Sequence, residues 1–394
     1  MKERVIMKKL FSYAPFIGAV SWFGYHCGAG FASGSQVKVY VARYGAPAAF
    51  IVPIFAWTCC TAFIYIIVEY ARLVKAKSYR DVASTIYFDN PVFGKIIILV
   101  WDVMVFFSTI VASSSCVAGC GTLVQSLFGL PYMVGCAAFV ILMIALTCFG
   151  SGILDRLGKV STPLILMFIM VCVVGITRNW DNLVTVMTTS AGIPDPAPST
   201  MTLLERGLTY GCIQISFVHA ACVVGGGFET RKDSIMMAVI GFIMNAGAMV
   251  FGSLAALSTY PACLDSEMPL FDIINSVPGA FGIVMMVIYN FVLVMAYITT
   301  AGGLIVGAHA RYRLLLGKVI KNDSICNIIV VLVILGGASL LSILDLEGVV
   351  DYAYGGLSKL RQPVWFFPLL ILGPISIIRV SKKQKNLASA NPEA

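Results

Sequence analysis

The chain has 394 residues, of which 59% are hydrophobic and 12% are charged. Soluble domains have about 45–50% apolar and about 25% charged residues, so this composition excludes a water-soluble globular protein. The net charge of +8 is explained by basic loops on the cytoplasmic face of a membrane, and it does not indicate nucleic acid binding.

Ten apolar segments follow one another along the chain, each long enough to cross a hydrocarbon layer of about 30 Å as a helix. They are residues 12–42, 46–71, 92–126, 131–149, 158–177, 206–229, 233–258, 279–309, 323–343 and 362–379. We therefore predict an all-α polytopic membrane protein with about ten transmembrane helices.

The basic residues between these spans predict the orientation. Of the 27 Lys and Arg residues, 21 fall on one side of the predicted spans and 6 on the other. Cytoplasmic loops carry the excess of Lys and Arg. We therefore expect a multi-pass protein of the cell (inner) membrane, embedded in the lipid bilayer, with both termini cytoplasmic.

A long loop divides the spans into two groups of five. We predict a first repeat at residues 1–178, an extracytoplasmic connecting loop at 179–205, a second repeat at 206–380 and a short cytoplasmic tail at 381–394. An odd number of spans per half turns the second half upside down relative to the first. This is the inverted-repeat plan of many secondary transporters.

The first span contains four glycines in eleven residues, Gly24 to Gly34. Each glycine weakens a helix by roughly 0.5–1 kcal/mol relative to alanine. The run predicts either a discontinuous helix whose freed backbone groups bind solute and ion, or a close helix crossing. The corresponding break in the sixth span is expected at about Ser216 to Ala220, although that segment has no glycine. The Gly225–Gly227 run is interpreted as a hinge or a tight turn.

The run from Gly28 to Gln36, with the sequence Gly-Ala-Gly-Phe-Ala-Ser-Gly-Ser-Gln, resembles the signature of the YkvI-like membrane proteins. These belong to the amino acid–polyamine–organocation (APC) superfamily, which has the LeuT-type fold. The resemblance implies a 5+5 inverted repeat with discontinuous helices 1 and 6, and a secondary active transporter. This chain has Val37 after Gln36, where many members have glutamate, so an acidic role is lost there.

The resemblance also implies a sodium site. In relatives with this site, two first-helix carbonyls and an Ala-x-x-Thr-Ser/Thr pattern in the eighth helix hold the ion. Here Gly24 and Cys27 would supply the carbonyls, and Ala296, Thr299 and Thr300 match the pattern. Threonine hydroxyls in membrane helices also commonly bond back to their own helix.

The predicted function is symport, coupled to Na⁺ or H⁺, of a small organic solute such as an amino acid. Helix N-termini and an uncharged break suit a carboxylate-bearing solute. The predicted substrate-binding residues are Gly28, Ala29, Gly30, Phe31, Phe106, Phe107, Ser113, Ser216, Phe217 and His219. Na⁺ is the expected coupling ion, and no cofactor is expected.

Three charged residues are predicted to act in coupling or gating. Asp102 lies about ten residues into the third span, and intramembrane carboxylates are costly and commonly functional. We expect Asp102 and Lys159 to face the inner cavity, either as a structural salt bridge or as a proton-coupling pair. Glu69 lies near Arg72 and is interpreted as an anchor or gate pair.

Alternative functions remain open from the sequence. His26, Cys27, His219 and Cys222 lie beside the two predicted breaks, and imidazole and thiolate ligands suit copper or zinc. A transition-metal transporter is therefore one alternative, and a non-transporting membrane receptor on the same fold is another. An enzyme is not expected, because the serine cluster at residues 113–115 has no histidine on its helix.

Overall fold

A computed structural model describes residues 13–87, 90–149, 161–317 and 319–390. In these ranges the secondary structure is helical, without strands. Seven helices are individually long and apolar enough to cross a membrane, so the chain is a multi-pass membrane protein. The predicted Asp102 partner Lys159 lies outside the described residues.

Ten spans, some of them interrupted, follow the predicted order within the described residues. Their bounds are Ala14–His26 with Ala29–Ala32 and Ser35–Tyr40, Ala48–Val74, Pro91–Phe128, Tyr132–Phe149, Ser161–Arg178, Thr200–Gln214 with Val218–Gly226, Arg231–Leu257, Gly279–Leu316, Asp323–Ser342, and Asp345–Gly348 continuing through Gly355–Arg361 to Phe367–Ala390. Short helices at Tyr79–Ala83, Trp180–Thr188 and Pro269–Asn275 lie between spans.

Local sequence accounts for where several spans begin. The Asn90 side chain accepts hydrogen bonds from the first turn of the third span, which has a proline at its start. Thr230 and Asp233 form a reciprocal capping box at the start of the seventh span. These caps satisfy backbone donors that would otherwise be left without partners.

The sixth span packs closely on the second because small residues face it. A Cβ added to Gly211 would lie 2.6 Å from the Ala56 carbonyl oxygen, and one added to Gly225 would lie 2.5 Å from that of Val68. Such backbone proximity is typical of helix pairs in membranes. The contact fixes the interrupted sixth span against a continuous neighbour.

The tenth span begins earlier than the sequence predicted. Residues 345–361 were expected to be an outer loop, but they are helical and continuous with the apolar segment that follows. Arg361, assigned to the outer side from sequence, is buried with 1% of its surface exposed. Ser358 and Arg361 of this helix are buried, whereas Asp345 and Lys359 are exposed.

Candidate solute and ion site

The first span is interrupted where the glycine run predicted. Its helix ends at His26, Cys27 has a ψ of 44°, and Gly28 is extended with φ −77° and ψ −170° before the helix resumes at Ala29. A second turn follows at Gly34, whose φ of +89° is in the left-handed region that favours glycine. Residues 24–31 are therefore not one continuous helix.

The interruption of the sixth span is narrower than expected. Ile215–Phe217 forms a single 3₁₀ turn, and the backbone of both Ile215 and Phe217 stays in the right-handed helical region. We expected an unwound stretch at about Ser216 to Ala220. Because this segment has no glycine, the helix tightens instead of opening. The Ser216 hydroxyl donates to the Ile213 carbonyl oxygen at 2.9 Å.

A small cavity of about 30 Å³ lies between the two interruptions. Its lining consists of Tyr25, His26, Gly28, Ala29, Gly30, Gln36, Ser108, Ala112, Ile213, Gln214, Ser216, Thr300, Leu304 and Tyr354. We call it the central cavity. Small-molecule pockets usually measure roughly 300–1,000 Å³, so surrounding residues must move apart to admit a solute.

Some of the predicted substrate-binding residues line the central cavity, and others pack behind its lining. Gly28, Ala29, Gly30 and Ser216 line it. Phe31 instead packs its ring against His26, with centroids 3.9 Å apart, and Phe217 packs against Trp22 and Tyr25. These two aromatic residues support the lining but do not belong to it.

The predicted third-span residues do not reach the central cavity. Phe107 is 48% exposed, and Phe106 packs against Tyr312 with ring centroids 5.4 Å apart. Ser108 and Ala112, four residues apart and therefore on one helix face, line the cavity instead. Large apolar residues occur on every face of the third span, so the sequence does not show which face points inward. Ser113 is buried, and its hydroxyl has no hydrogen-bond partner among the described residues.

A second cavity of about 550 Å³ lies on the predicted cytoplasmic side, and we call it the inner cavity. It is lined by residues 77–81, which lead into the short helix Tyr79–Ala83, and by the third and eighth spans, and it reaches His219. Leu304 lines both cavities. The Tyr25 hydroxyl lies 2.6 Å from His219 Nε2. Leu304 and the Tyr25–His219 hydrogen bond therefore stand between the two cavities.

Ion pairs join the first and tenth spans on the predicted outer side. Lys38 and Arg43 both pair with Glu347, and Arg43 also pairs with Asp351 at 2.7 Å. The Lys38 side chain is 1% exposed. A buried ammonium depends on its carboxylate partner, so these pairs link residues 38–43 to the start of the tenth span.

Replacing Glu347 with glutamine should open this side. Cys263 provides a native reporter, since it is buried near Lys38 and burial raises the pKa of its thiol to about 12. Removing one partner of a buried ion pair costs about 3–5 kcal/mol. We therefore expect Cys263 to react about tenfold faster or more with a membrane-impermeant maleimide in Glu347→Gln than in the original protein. Peptide mass spectrometry measures the labelling. The exposed Glu205→Gln variant is the control, and equal labelling of both variants would contradict the assignment.

Of the predicted sodium-site residues, Thr300 lies beside the first break. A Cβ added to Gly28 would lie 3.6 Å from the Thr300 hydroxyl oxygen, and Thr300 lines the central cavity. The Thr299 hydroxyl donates to the Ala296 carbonyl oxygen at 3.1 Å. Cys27 is buried at the break, and Gly24 lies in the last turn of the preceding helix.

Among the described residues, the ion-pair partner of Asp102 is Arg311, whereas Lys159 was expected. Its carboxylate accepts from Arg311 Nε at 2.7 Å, and both side chains are 7% exposed. Tyr79, in the helix between the second and third spans, also donates to Asp102. Burial is the largest cause that raises the pKa of Tyr79, and the hydrogen bond to Asp102 is the next. Because Arg311 and Tyr79 line the inner cavity, this ion pair lies at its wall.

Glu69 pairs with Arg72, as predicted. Both guanidinium–carboxylate contacts are present, at 2.7 and 2.9 Å. Arg72 also donates to the Glu229 carbonyl oxygen. The pair thus links the inner end of the second span to the segment after the sixth span.

The four residues of the alternative metal site are not assembled. His26 uses both ring nitrogens on Asn245 and Tyr210, and His219 uses both on Tyr25 and the Ser216 carbonyl. Across the described parts of the chain, no group of three His, Cys, Asp or Glu side chains could hold a metal ion.

Arg361 lies behind the lining of the central cavity and was not among the predicted site residues. It donates to the Cys212 and Ile213 carbonyl oxygens at 3.0 and 2.7 Å, and to the Ser108 hydroxyl at 2.6 Å. Ser108 and Ile213 line the central cavity. Among described residues no carboxylate pairs with it, and its Nε has no partner. A buried positive charge therefore adjoins the central cavity.

No known protein family and no curated protein matches the sequence, and the YkvI-like assignment is not confirmed. Solved structures do match. One is Mhp1, a nucleobase-cation-symport-1 family transporter, in a closed conformation with bromovinylhydantoin bound; the TM-score is 0.60 and the identity 14%, over 92% of this chain and 77% of that chain. MhsT in complex with L-phenylalanine matches with TM-score 0.59 and 13% identity, over 92% and 97%.

A manganese transporter of Eremococcus coleocola, in complex with an aromatic bis-isothiourea substituted compound, also matches. Its TM-score is 0.52 and its identity 12%, over 95% of this chain and 85% of that chain. The chain has the LeuT-type fold. Identities this low establish the architecture alone, and the function must be argued from this chain's own residues.

Proposed function

We propose that this protein is a secondary active transporter that carries a small organic solute across the cell membrane by alternating access. The observation that carries the proposal is the central cavity at the two interrupted spans, with ion pairs on the outer side and a larger cavity on the inner side. Fixed sites between two gates suit alternating access. The transporters among the similar structures support this proposal.

The solute we propose carries a carboxylate, as an amino acid does. Arg361 places an unpaired guanidinium beside the cavity, and guanidinium groups match carboxylates geometrically. Gln36, Gln214 and Ser216 offer further polar atoms. MhsT, which has a similar fold, binds the amino acid L-phenylalanine.

Uptake into proteoliposomes tests the proposal. Purified protein would be screened with radiolabelled amino acids, organic acids and nucleobases, under inward gradients of sodium or protons and with potassium replacing sodium. Concentrative, gradient-dependent uptake is expected. Thermal stabilisation by a solute without any flux would instead support a non-transporting receptor, and the transport proposal would fail.

We further propose Na⁺ as the coupling ion, held by the Gly24 and Cys27 carbonyls with Ala296, Thr299 and Thr300. Hard oxygen ligands suit this ion, and Thr300 lies next to the break. Thr299→Ala and Thr300→Ala should each raise the sodium concentration for half-maximal uptake by about tenfold, the effect of losing about 1.4 kcal/mol.

The matched control is Thr58→Ala. The Thr58 hydroxyl also bonds back to its own helix, but at an exposed position in the second span, so its loss should leave the sodium dependence unchanged. If both Thr299→Ala and Thr300→Ala keep the sodium dependence of the original protein, the ion assignment is wrong.

A further inference from the structure

The tenth span ends in a basic segment on the predicted cytoplasmic side. Its last part is one α-helix, Phe367–Ala390. Within this helix Ile375 and Ile378 are exposed apolar side chains, and four of the next seven residues, 379–385, are Arg or Lys. We call residues 379–385 the basic end. The change from exposed isoleucine to exposed arginine and lysine places the basic end at the level of the lipid headgroups.

The basic end continues the side of the helix that meets lipid. Five exposed residues follow one another at steps of four, three, four and three positions, which places them on one side of a helix. They are Ile371, Ile375, Ile378, Lys382 and Lys385. The other side contacts protein, because a Cβ added to Gly373 would clash with Ile66 and the Gln384 side chain donates to the Leu73 carbonyl oxygen. The lysines therefore point toward the surrounding lipid.

The basic end has no acidic neighbours in the sequence. No Asp or Glu occurs between residues 352 and 392. By contrast, Lys232 and Lys321, also exposed on the predicted cytoplasmic side, each lie within two residues of an aspartate. Clusters of about four to eight basic residues directly cytoplasmic of a membrane helix are typical of sites that bind anionic lipid headgroups.

The start of the third span adds a further cation to this surface. Arg379 Nη2 donates to the Thr85 carbonyl oxygen at 3.0 Å. A Cβ added to Gly94 would clash with the Ser84 carbonyl oxygen. The tenth and third spans therefore contact two neighbouring residues of the same segment. Lys95, the next residue after Gly94, is exposed and extends the basic surface to the third span.

We propose that the basic end is a binding surface for the headgroups of anionic phospholipids in the cytoplasmic leaflet. One side of the helix matches both parts of such a lipid, since the isoleucines meet its acyl chains and the lysines meet its phosphate. The helix also contacts residues 73 and 85, and residues 77–81 between them line the inner cavity. A lipid bound here holds the basic end against the segment that forms a wall of that cavity.

Native mass spectrometry of the purified full chain tests the proposal. Dioleoyl-phosphatidylglycerol and dioleoyl-phosphatidylcholine would be added in equal amounts, and the phosphatidylglycerol adduct should predominate. One basic residue near an anionic surface contributes about fivefold in binding. The ratio of the two adducts should therefore fall by about 5- to 25-fold when Lys382→Gln and Lys385→Gln are combined.

A matched double variant removes the same charge elsewhere on the predicted cytoplasmic side. Lys232→Gln combined with Lys321→Gln also removes two exposed lysines, each of which has an aspartate nearby. The adduct ratio of this control should change by less than about twofold. A fall of less than about fivefold in the variant of the basic end, or an equal fall in both variants, would show that these lysines serve only to orient the protein and would overturn the proposal.

Two further measurements separate lipid from free phosphate and test the contact with residues 73–85. Glycerol 1-phosphate lacks acyl chains, so it should not displace phosphatidylglycerol at equal concentration; equal competition would overturn the lipid assignment. In lipid nanodiscs, phosphatidylglycerol should slow hydrogen exchange of residues 73–85 relative to phosphatidylcholine, and the combined Lys382→Gln and Lys385→Gln variant should lose this effect. Identical exchange in both lipids would contradict the proposal. None of these measurements requires transport, so a protein without uptake can still have this lipid surface.

Discussion

Arg361→Gln should lower solute uptake by about 100-fold or more. The guanidinium adjoins the central cavity through Ser108 and Ile213 and has no described carboxylate partner. Losing the charged partner of a buried carboxylate costs about 3–5 kcal/mol, which corresponds to roughly 10²–10⁴ in binding. Initial uptake rates and solute-dependent thermal stabilisation measure the effect.

Two further variants separate solute binding from a structural role. Lys359 lies two residues away on the same helix and is exposed, so Lys359→Gln removes an equal charge and should keep uptake. Arg361 also caps the carbonyls at the end of the first half of the sixth span, and Arg361→Lys keeps a donor and the charge there. In Arg361→Gln the preference for a carboxylate solute over its amide should disappear. An unchanged preference would show that Arg361 only supports the helix.

The sequence predicted the spans and the first break for simple physical reasons. Crossing a membrane requires long apolar segments, and four glycines at residues 24, 28, 30 and 34 weaken a regular helix there. The predicted lining residues Gly28, Ala29, Gly30 and Ser216 follow from the breaks themselves. These features depend on the local chain and need no knowledge of tertiary contacts.

The features that the sequence could not reveal depend on which side of a helix faces the protein. Phe107 and Ser108 are neighbours in a span without a distinct apolar face, and only packing separates the exposed ring from the cavity-lining hydroxyl. Arg361 was assigned to a loop because charges end an apolar segment. Arg361 follows Asp345 by 16 residues, which is about 24 Å along a helix. The sequence does not show that Arg361 lies this deep in the span, because it does not show that the span begins at residue 345.

Asp102→Asn should lower the free energy of unfolding by about 3–5 kcal/mol, because it leaves Arg311 buried without its carboxylate. Tyr79, which donates to the Asp102 carboxylate, would lose part of the same network, whereas Tyr312 donates to the backbone carbonyl oxygen of Asp102 and would keep its bond. Thermal unfolding in detergent, followed by fluorescence-detected gel filtration, measures the loss. Asp102→Asn combined with Arg311→Met should regain most of it, since no unpaired charge remains.

The same measurement decides between the two partners considered for Asp102. If Arg311 is the partner, the effects of Asp102→Asn and Arg311→Met should be strongly non-additive, whereas Asp102→Asn and Lys159→Met should add within about 0.3–0.5 kcal/mol. Coupling to Lys159 instead of Arg311 would restore the pairing expected from the sequence. The Asp102–Arg311 pair joins the third and eighth spans at the wall of the inner cavity. Loss of this pair should therefore also speed chemical labelling of the residues that line this cavity from the cytoplasmic side.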